Sequence, residues 1–246
     1  IDGMIFGGVV RSKYPRAIIK DINVSKAKEL TGVVTVLTAE DIPGKNKIGH
    51  LKKDWDVLIK KGSVTHCIGD ALVLIAAESV SILEKAKSLV EIEYEELNPI
   101  SNVIDAMENN SELVHPNTTD NNVFFVQKLF RGDADEAIRN SKYVVKNKYS
   151  TPFTEHAFLE PESAIAMPYN DDGVLIYSAD QGVYQTRKEC AEALGLPLEK
   201  VRVVAKSIGG GFGGKEDMSV QHHAALLSYK TKKPVKVSLS RQESIM

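Results

Sequence analysis

The sequence predicts an α+β fold, on three observations. Short apolar runs rich in β-branched residues alternate with helical periods over the first hundred residues. A tract of Asn, Thr, Ser and Asp then interrupts the apolar pattern at residues 109–122. Further strand-like runs and helical periods follow it. We therefore expect a first domain over residues 1–108, a linker over 109–122, and a second domain with its own sheet over 123–246.

The first domain is expected to contain four strands and two helices. A continuous or alternating apolar pattern predicts strands at residues 7–10, 33–37, 71–77 and 89–94. Ser25 is a candidate N-cap for a helix over residues 26–30. Ser79 or Ser81 is a candidate N-cap for a second helix, in which apolar residues recur at helical spacing.

The second domain continues the mixed pattern. Strands are predicted at residues 123–130, 143–149, 159–167, 174–178, 201–204 and 235–239. Helices are predicted at residues 184–194 and 218–229, and Gly195 with Pro197 is a typical end for the first of them.

Composition excludes several classes of function. Lys plus Arg number 31 against 33 Asp plus Glu, so a net charge of −2 gives no general attraction to nucleic acid. No apolar run reaches the roughly 20 residues of a membrane helix, and we expect no membrane partner. Cys67 and Cys190 are too few for a disulfide framework, which indicates a reducing, cytoplasmic compartment. They are also too few for an iron–sulfur cluster. Because residue 1 is Ile, we expect the natural product to be longer.

The densest motif is a glycine loop, Gly-Gly-Gly-Phe-Gly-Gly-Lys-Glu at residues 209–216. It lies between a predicted strand and a predicted helix. Glycines let backbone N–H groups approach an anion closely, and a following helix would add the positive end of its dipole. The pattern therefore predicts a phosphate-like ligand.

Three interpretations of the loop follow from the residues alone. A dinucleotide fingerprint fits the spacing of Gly209, Gly211 and Gly214, but the acidic residue expected about 20 residues later is missing. A nucleotide phosphate loop fits as far as Lys215, after which Glu216 replaces the required Ser or Thr. The third interpretation is a tight packed turn with no ligand.

A resemblance covers nearly the whole chain. The glycine loop resembles the molybdopterin-contacting loop of the molybdenum hydroxylases, the xanthine dehydrogenase and aldehyde oxidase family. Similar segments of the family's α/β hammerhead domain lie at residues 10–17, 32–43, 68–78 and 90–99. Gly132, residues 155–161 and Gln181 resemble the opening of the molybdenum-binding domain. The resemblance implies a hammerhead domain followed by the first, incomplete part of the molybdenum cofactor-binding domain.

The resemblance also implies a reaction and its cofactors. Enzymes of this family hydroxylate a purine, an N-heterocycle or an aldehyde with oxygen from water. The molybdenum is held by a pterin, with or without an attached cytosine nucleotide, so no side chain is expected to bind the metal. Iron–sulfur and FAD groups are expected on other domains or subunits. The expected partners are the remainder of the molybdenum-binding subunit, the iron–sulfur and flavin subunits or domains, and a small-molecule substrate.

The resemblance assigns cofactor-binding roles to five residues. Gln181 matches the family glutamine whose amide reaches an oxygen ligand of molybdenum. Gly210, Gly211, Phe212 and Gly213 match the loop that lies against the molybdenum centre. A surface glutamine and a core phenylalanine are the structural alternatives.

Glu216 matches a carboxylate that hydrogen-bonds the heterocycle in some members of the family, which would position the substrate. In the alternative interpretation, Lys215 and Glu216 simply open the following helix. The family's catalytic base lies beyond residue 246, so we expect the 246-residue chain alone to be inactive. A non-catalytic anion-binding or interaction module that retains the loop is the rival function.

No metal site is predicted from the histidines. His156 is flanked by Glu155 and lies near Glu160, but strand alternation would send His156 and Glu155 to opposite faces. His222 and His223 are neighbours on a predicted helix, where side chains point about 100° apart. We expect a structural, hydrogen-bonded role for His156, and we do not expect His222 and His223 to bind one ion together.

Overall fold

The computed structural model describes residues 1–108, 110–115 and 121–246. These residues form two compact units, one made of Ile1–Pro99 with His156–Met246 and the other of Ile100–Glu155. Part of the predicted linker, residues 109 and 116–120, lies outside the described residues.

The strands of the described residues are β1 (Ile5–Arg11), β2 (Ala17–Asn23), β3 (Val33–Leu37), β4 (Lys47–Ile48), β5 (Trp55–Asp56), β6 (Ala71–Ala77), β7 (Glu91–Glu96), β8 (Ser163–Tyr169), β9 (Gly173–Ser178), β10 (Val201–Ala205) and β11 (Val235–Ser238). The α-helices are α1 (Ser25–Lys28), α2 (Val80–Ser88), α3 (Val103–Ala106), α4 (Ala134–Arg139), α5 (Val183–Leu194), α6 (Gln221–Thr231) and α7 (Arg241–Ser244). Short 3-10 turns lie at Ala39–Asp41 and Leu198–Lys200. None of these helices is long and apolar enough to cross a membrane.

Within the described residues, one sheet of seven strands runs in the order β10, β9, β8, β11, β1, β6, β3. β1 pairs in parallel with β11 and antiparallel with β6, so strands from both halves of the sequence share this sheet. The expected separate sheet in the second half was therefore wrong. Gly7 lets β1 lie close to α6 and to the neighbouring strand β11. An added Cβ at Gly7 would lie 2.5 Å from Leu227 of α6 and 2.7 Å from Val237 of β11.

The core lies on both faces of the seven-stranded sheet. Every residue of β6 is buried, as expected for an unbroken apolar strand covered on two sides. α5 and α6 contribute to the hydrophobic cluster on one side, and α2 with β2 contributes to the cluster on the other. The mixture of a large sheet with packed helices confirms the α+β fold class.

Local end signals account for two helix boundaries and fail at a third. The Ser79 side chain accepts the N–H of Ile82, so Ser79 rather than Ser81 caps α2. α5 ends at Gly195, which adopts the left-handed conformation. The predicted N-cap at Ser25 was wrong: Ser25 is the first residue of α1, and its N–H is held by the side chain of Asn23.

The unit formed by Ile100–Glu155 contains α3 and α4, and its described residues contain no strand. The strands predicted at residues 123–130 and 143–149 were therefore wrong. Their apolar side chains are exposed, with Phe125 at 71% and Val145 at 84%. A strand is stabilised by hydrogen bonds to a neighbouring strand, and the described part of this unit provides none.

Candidate functional site

The glycine loop starts after β10, and its first residue is fixed to Glu160. Gly209 donates its N–H to Glu160 Oε2 at 2.8 Å, and Glu160 donates its own N–H to the carbonyl of Gly209 at 3.1 Å. An added Cβ at Gly209 would lie 2.5 Å from Glu160 Cβ. Glycine is therefore required for the backbone to approach Glu160 this closely.

The last part of the loop is fixed by Lys215, which is only 1% exposed. Its ammonium group lies 2.9 Å from Glu160 Oε2 and 4.5 Å from the centre of the Phe158 ring. The Gly209 N–H and then Lys215 lower the pKa of Glu160 below its ordinary value of 4.5. Because Lys215 is buried against Glu160, it cannot act as the free lysine of a nucleotide phosphate loop.

Gln181 follows β9 and contacts the loop through two hydrogen bonds to Lys215. The Gln181 N–H donates to the Lys215 carbonyl at 3.0 Å, and Gln181 Oε1 accepts the Lys215 N–H at 3.2 Å. An added Cβ at Gly211 would lie 2.4 Å from Gln181 Oε1. The amide oxygen is thus turned toward the loop, and the Nε2 group remains as a hydrogen-bond donor.

The middle of the loop carries unpaired backbone donors. Among the described residues, none accepts a hydrogen bond from the N–H groups of Gly210, Gly211, Phe212 and Gly213. Gly210, Phe212 and Gly213 have φ angles of 98°, 52° and 91°. For Phe212, this left-handed backbone costs about 1–3 kcal/mol, and such strain is concentrated at functional sites. Successive unpaired N–H groups of this kind form an anion-binding surface.

Phe212 and Glu216 are both exposed on the loop. The Phe212 side chain is 76% exposed, so the core-packing alternative for this residue was wrong. Glu216 lies in a turn, and α6 begins only at Gln221. The interpretation in which Lys215 and Glu216 open the helix was therefore wrong, and α6 begins at Gln221 rather than at residue 218.

A buried carboxylate beneath Gln181 connects three segments of the site. Asp180 accepts hydrogen bonds from the Gly182 N–H at 2.6 Å, Thr186 Oγ1 at 2.7 Å and Gln221 Nε2 at 3.2 Å. These bonds join the end of β9, the first turn of α5 and the start of α6. Asp180 is not among the residues predicted from the sequence, although a charged residue directly after a buried strand and next to Gln181 is a usable signal.

Other titratable groups are held in their neutral forms. Burial lowers the pKa of His222 to about 3, and burial also lowers the pKa of His223 well below its ordinary value. Burial and the nearby Asp70 raise the pKa of Cys67 to about 12. Burial raises the pKa of Cys190 well above its ordinary value. At neutral pH, the two histidines are therefore uncharged and the two cysteines are protonated, poorly nucleophilic thiols.

His156 lies against the glycine loop. A Cβ added at Gly214 would lie 3.0 Å from His156 Nδ1 and 2.9 Å from the Phe158 ring. In the part of the chain that the structure describes, no group of three His, Cys, Asp or Glu residues is placed to hold a metal ion.

Two family models match the chain, and together they identify the class of protein to which this fold and this glycine loop belong. Residues 1–98 match the family model described as the aldehyde oxidase and xanthine dehydrogenase a/b hammerhead domain. Residues 114–246 match the model of the molybdopterin cofactor-binding domain. The chain belongs to the aldehyde oxidase and xanthine dehydrogenase family.

Individual relatives agree with this assignment. The chain is 40% identical to the nicotinate dehydrogenase large molybdopterin subunit of Eubacterium barkeri, covering 98% of the chain and 56% of that protein. It is 35% identical to a probable xanthine dehydrogenase subunit of Bacillus subtilis, covering 99% of the chain and 32% of that protein. The chain thus spans about half, or less, of these relatives.

Solved structures share the fold. The aldehyde oxidoreductase of Desulfovibrio gigas superposes with a TM-score of 0.91 at 26% identity, covering 100% of this chain and 28% of that one. The CO dehydrogenase of Oligotropha carboxidovorans superposes with a TM-score of 0.85 at 27% identity, covering 99% and 32%. The family and the fold are confirmed, and the second matched domain is of the molybdopterin cofactor-binding kind.

The glycine loop fits a cofactor with anionic oxygen atoms. The four unpaired N–H groups are donors, and the Gln181 Nε2 group adds an uncharged donor beside them. Gly211 leaves the space next to Gln181 that a side chain would fill. The residues present therefore suit the molybdenum–pterin group.

Proposed function

We propose that the chain is part of the molybdenum-binding subunit of a molybdenum hydroxylase. The reaction is the oxidative hydroxylation of a purine, an N-heterocycle or an aldehyde. The observation that carries the proposal is the set of four unpaired N–H groups at residues 210–213, next to the Gln181 amide. No observation favours the alternative of a non-catalytic anion-binding or interaction module.

The proposed cofactor contacts come from the loop and from Gln181. The N–H groups of Gly210, Gly211, Phe212 and Gly213 would donate to anionic oxygen atoms, and Gln181 Nε2 would donate without adding charge. When bound, the cofactor supplies the two-electron chemistry by which a substrate C–H and water become C–OH, two protons and two electrons.

The other residues of the loop would exclude water and orient the substrate. The exposed Phe212 ring would cover the reacting group and keep bulk water away from it. The exposed Glu216 carboxylate would accept a hydrogen bond from an N–H group of a heterocycle and so position the substrate.

The proposed partners are the remainder of the molybdenum-binding subunit and iron–sulfur and flavin subunits or domains. Both relatives are named as subunits, one of a nicotinate dehydrogenase and one of a probable xanthine dehydrogenase, which supports a multi-subunit enzyme. Two cysteines, Cys67 and Cys190, cannot hold a cluster that usually takes four. A cytoplasmic location, and the expectation of neither a nucleic-acid nor a membrane partner, stay predictions.

Oxygen tracing tests the proposed function. The complete enzyme would be incubated with a panel of purines, N-heterocycles and aldehydes and an artificial electron acceptor, in water enriched in oxygen-18. We expect a hydroxylated product that carries the label from water. A product whose oxygen comes from dioxygen, or no turnover of any substrate by enzyme that contains molybdenum, would overturn the proposal.

A further inference from the structure

Glu160 and Lys215 tie the two ends of the glycine loop to one atom. Glu160 Oε2 accepts both the Gly209 N–H at 2.8 Å and the Lys215 ammonium at 2.9 Å. Gly209 precedes the four unpaired N–H groups, and Lys215 follows them. Glu160 Oε2 therefore holds both ends of the loop together, and the unpaired N–H groups of residues 210–213 lie between those ends.

The same lysine also fixes the Gln181 side chain. The Lys215 N–H donates to Gln181 Oε1, and the Lys215 carbonyl accepts the Gln181 N–H. A movement of Lys215 would therefore turn the Gln181 amide and change where its Nε2 group points. The contacts run from Glu160 through Lys215 to Gln181.

The surroundings enclose the Lys215 end of the ion pair, whereas the Glu160 side chain is 40% exposed. The Lys215 ammonium lies 4.5 Å from the centre of the Phe158 ring. The Phe158 carbonyl accepts a hydrogen bond from Arg241 Nη2 at 2.6 Å, and Glu160 is joined to Gly209 by a second hydrogen bond through its own N–H. Burying an ammonium group is costly, and an ion pair of this kind is weak evidence for a contribution to stability. What the pair provides is a fixed geometry for the loop.

We propose that Glu160 and Lys215 are positioning residues for the molybdenum–pterin cofactor. Their ion pair sets the spacing of the N–H groups of residues 210–213 and the orientation of the Gln181 amide. The Lys215 ammonium is 1% exposed and paired with Glu160 Oε2, and we assign both residues a role in shaping the loop. This inference rests on the proposed function.

The test compares single and double variants of the complete enzyme, purified from a host that makes the cofactor. Glu160→Gln leaves the Lys215 charge buried without its partner, so we expect a lower thermal midpoint. Lys215→Met is the other single variant, and the double variant Glu160→Gln with Lys215→Met removes both charges at similar volume. Molybdenum is measured by elemental mass spectrometry and pterin by fluorescence, alongside the midpoint.

The double variant separates a positioning role from a structural one. We expect its midpoint to return toward the wild-type value, while its molybdenum and pterin content stays severalfold below wild type, because residues that orient metal ligands contribute about 10–100-fold to metal affinity. Wild-type molybdenum and pterin content in the double variant would overturn the inference. Wild-type enzyme without molybdenum would overturn the proposed function as well, so the two failures are distinguishable.

Two further variants keep the test decisive if the double variant does not fold. Glu160→Asp keeps the charge but is one methylene shorter, so it cannot reach both Gly209 and Lys215, and we expect weaker cofactor retention in a folded enzyme. Full retention would overturn the inference. The matched control removes another ion pair, Lys53 with Glu192, outside the glycine loop. We expect Lys53→Met with Glu192→Gln to leave the cofactor content unchanged.

Discussion

The buried histidine pair of α6 should make the chain sensitive to mild acid. His222 and His223 are 4% and 3% exposed, and neither Nδ1 atom has a hydrogen-bond partner among the described residues. Burial lowers the pKa of both, and the positive charge of Arg11 adds to the effect. The folded chain therefore keeps both rings neutral at a pH where the unfolded chain would protonate them.

The size of the effect follows from the pKa of His222, which is about 3 in the folded chain against an ordinary value of 6.5. Between these two values the unfolded state binds more protons, so stability is full above pH 6.5 and falls as the pH is lowered. At pH 5, the loss from His222 alone is about 2 kcal/mol, at 1.36 kcal/mol per pH unit. His223 contributes in the same direction.

Urea unfolding at pH 7 and at pH 5 measures this loss. We expect the free energy of unfolding to fall by at least about 2 kcal/mol in wild type. The decrease should be smaller in His222→Leu, whose side chain does not titrate, and should be unchanged in the control His50→Gln, where the histidine is exposed. An equal decrease in wild type and in His222→Leu would refute the reasoning.

Three further predictions concern the site and the cysteine Cys67. Gly211→Ala places a methyl group 2.4 Å from Gln181 Oε1, so we expect the molybdenum-to-protein ratio of the complete enzyme to fall severalfold; a wild-type ratio would contradict this. Asp180→Ala removes a buried acceptor of three hydrogen bonds, and urea unfolding should show a loss of about 3 kcal/mol, whereas a loss near zero would argue against its connecting role. Because the pKa of Cys67 is about 12, a thiol reagent at pH 8 should modify it only after unfolding; rapid labelling of folded protein would contradict the assignment.

Parts of the fold could be predicted because their causes are local. The unbroken apolar run of β6 is typical of a strand buried on both faces, and Gly195 ends α5 because glycine adopts the left-handed conformation without a steric penalty. The pairing of β1 with β11 could not be predicted, because strand periodicity does not specify which strand is the neighbour. Residues 123–130 have strand propensity but form no strand, because no neighbouring strand pairs with them among the described residues.

In the candidate site, too, features with a local sequence pattern were predictable and contacts between distant residues were not. The glycine loop follows from its residue pattern and Gln181 from the resemblance, and the structure places Gly211 directly against the Gln181 side chain. The bond between Glu160 and Lys215 joins residues 55 positions apart, and no local pattern indicates it. In the sequence, Glu160 belongs to the segment 155–161 that carries the resemblance and lies near His156, where no metal site is predicted. The roles assigned to Gln181, Phe212 and Glu216 stay predictions, as do the domain bounds 1–108, 109–122 and 123–246.

The central claim is that the glycine loop and Gln181 hold a molybdenum–pterin cofactor. The most direct measurement is the molybdenum and pterin content of the complete protein, purified from its own cell by a procedure without added metal. We predict molybdenum and pterin in equal amounts, with both reduced together in Gln181→Ala. Protein that is folded but contains neither molybdenum nor pterin would contradict the account.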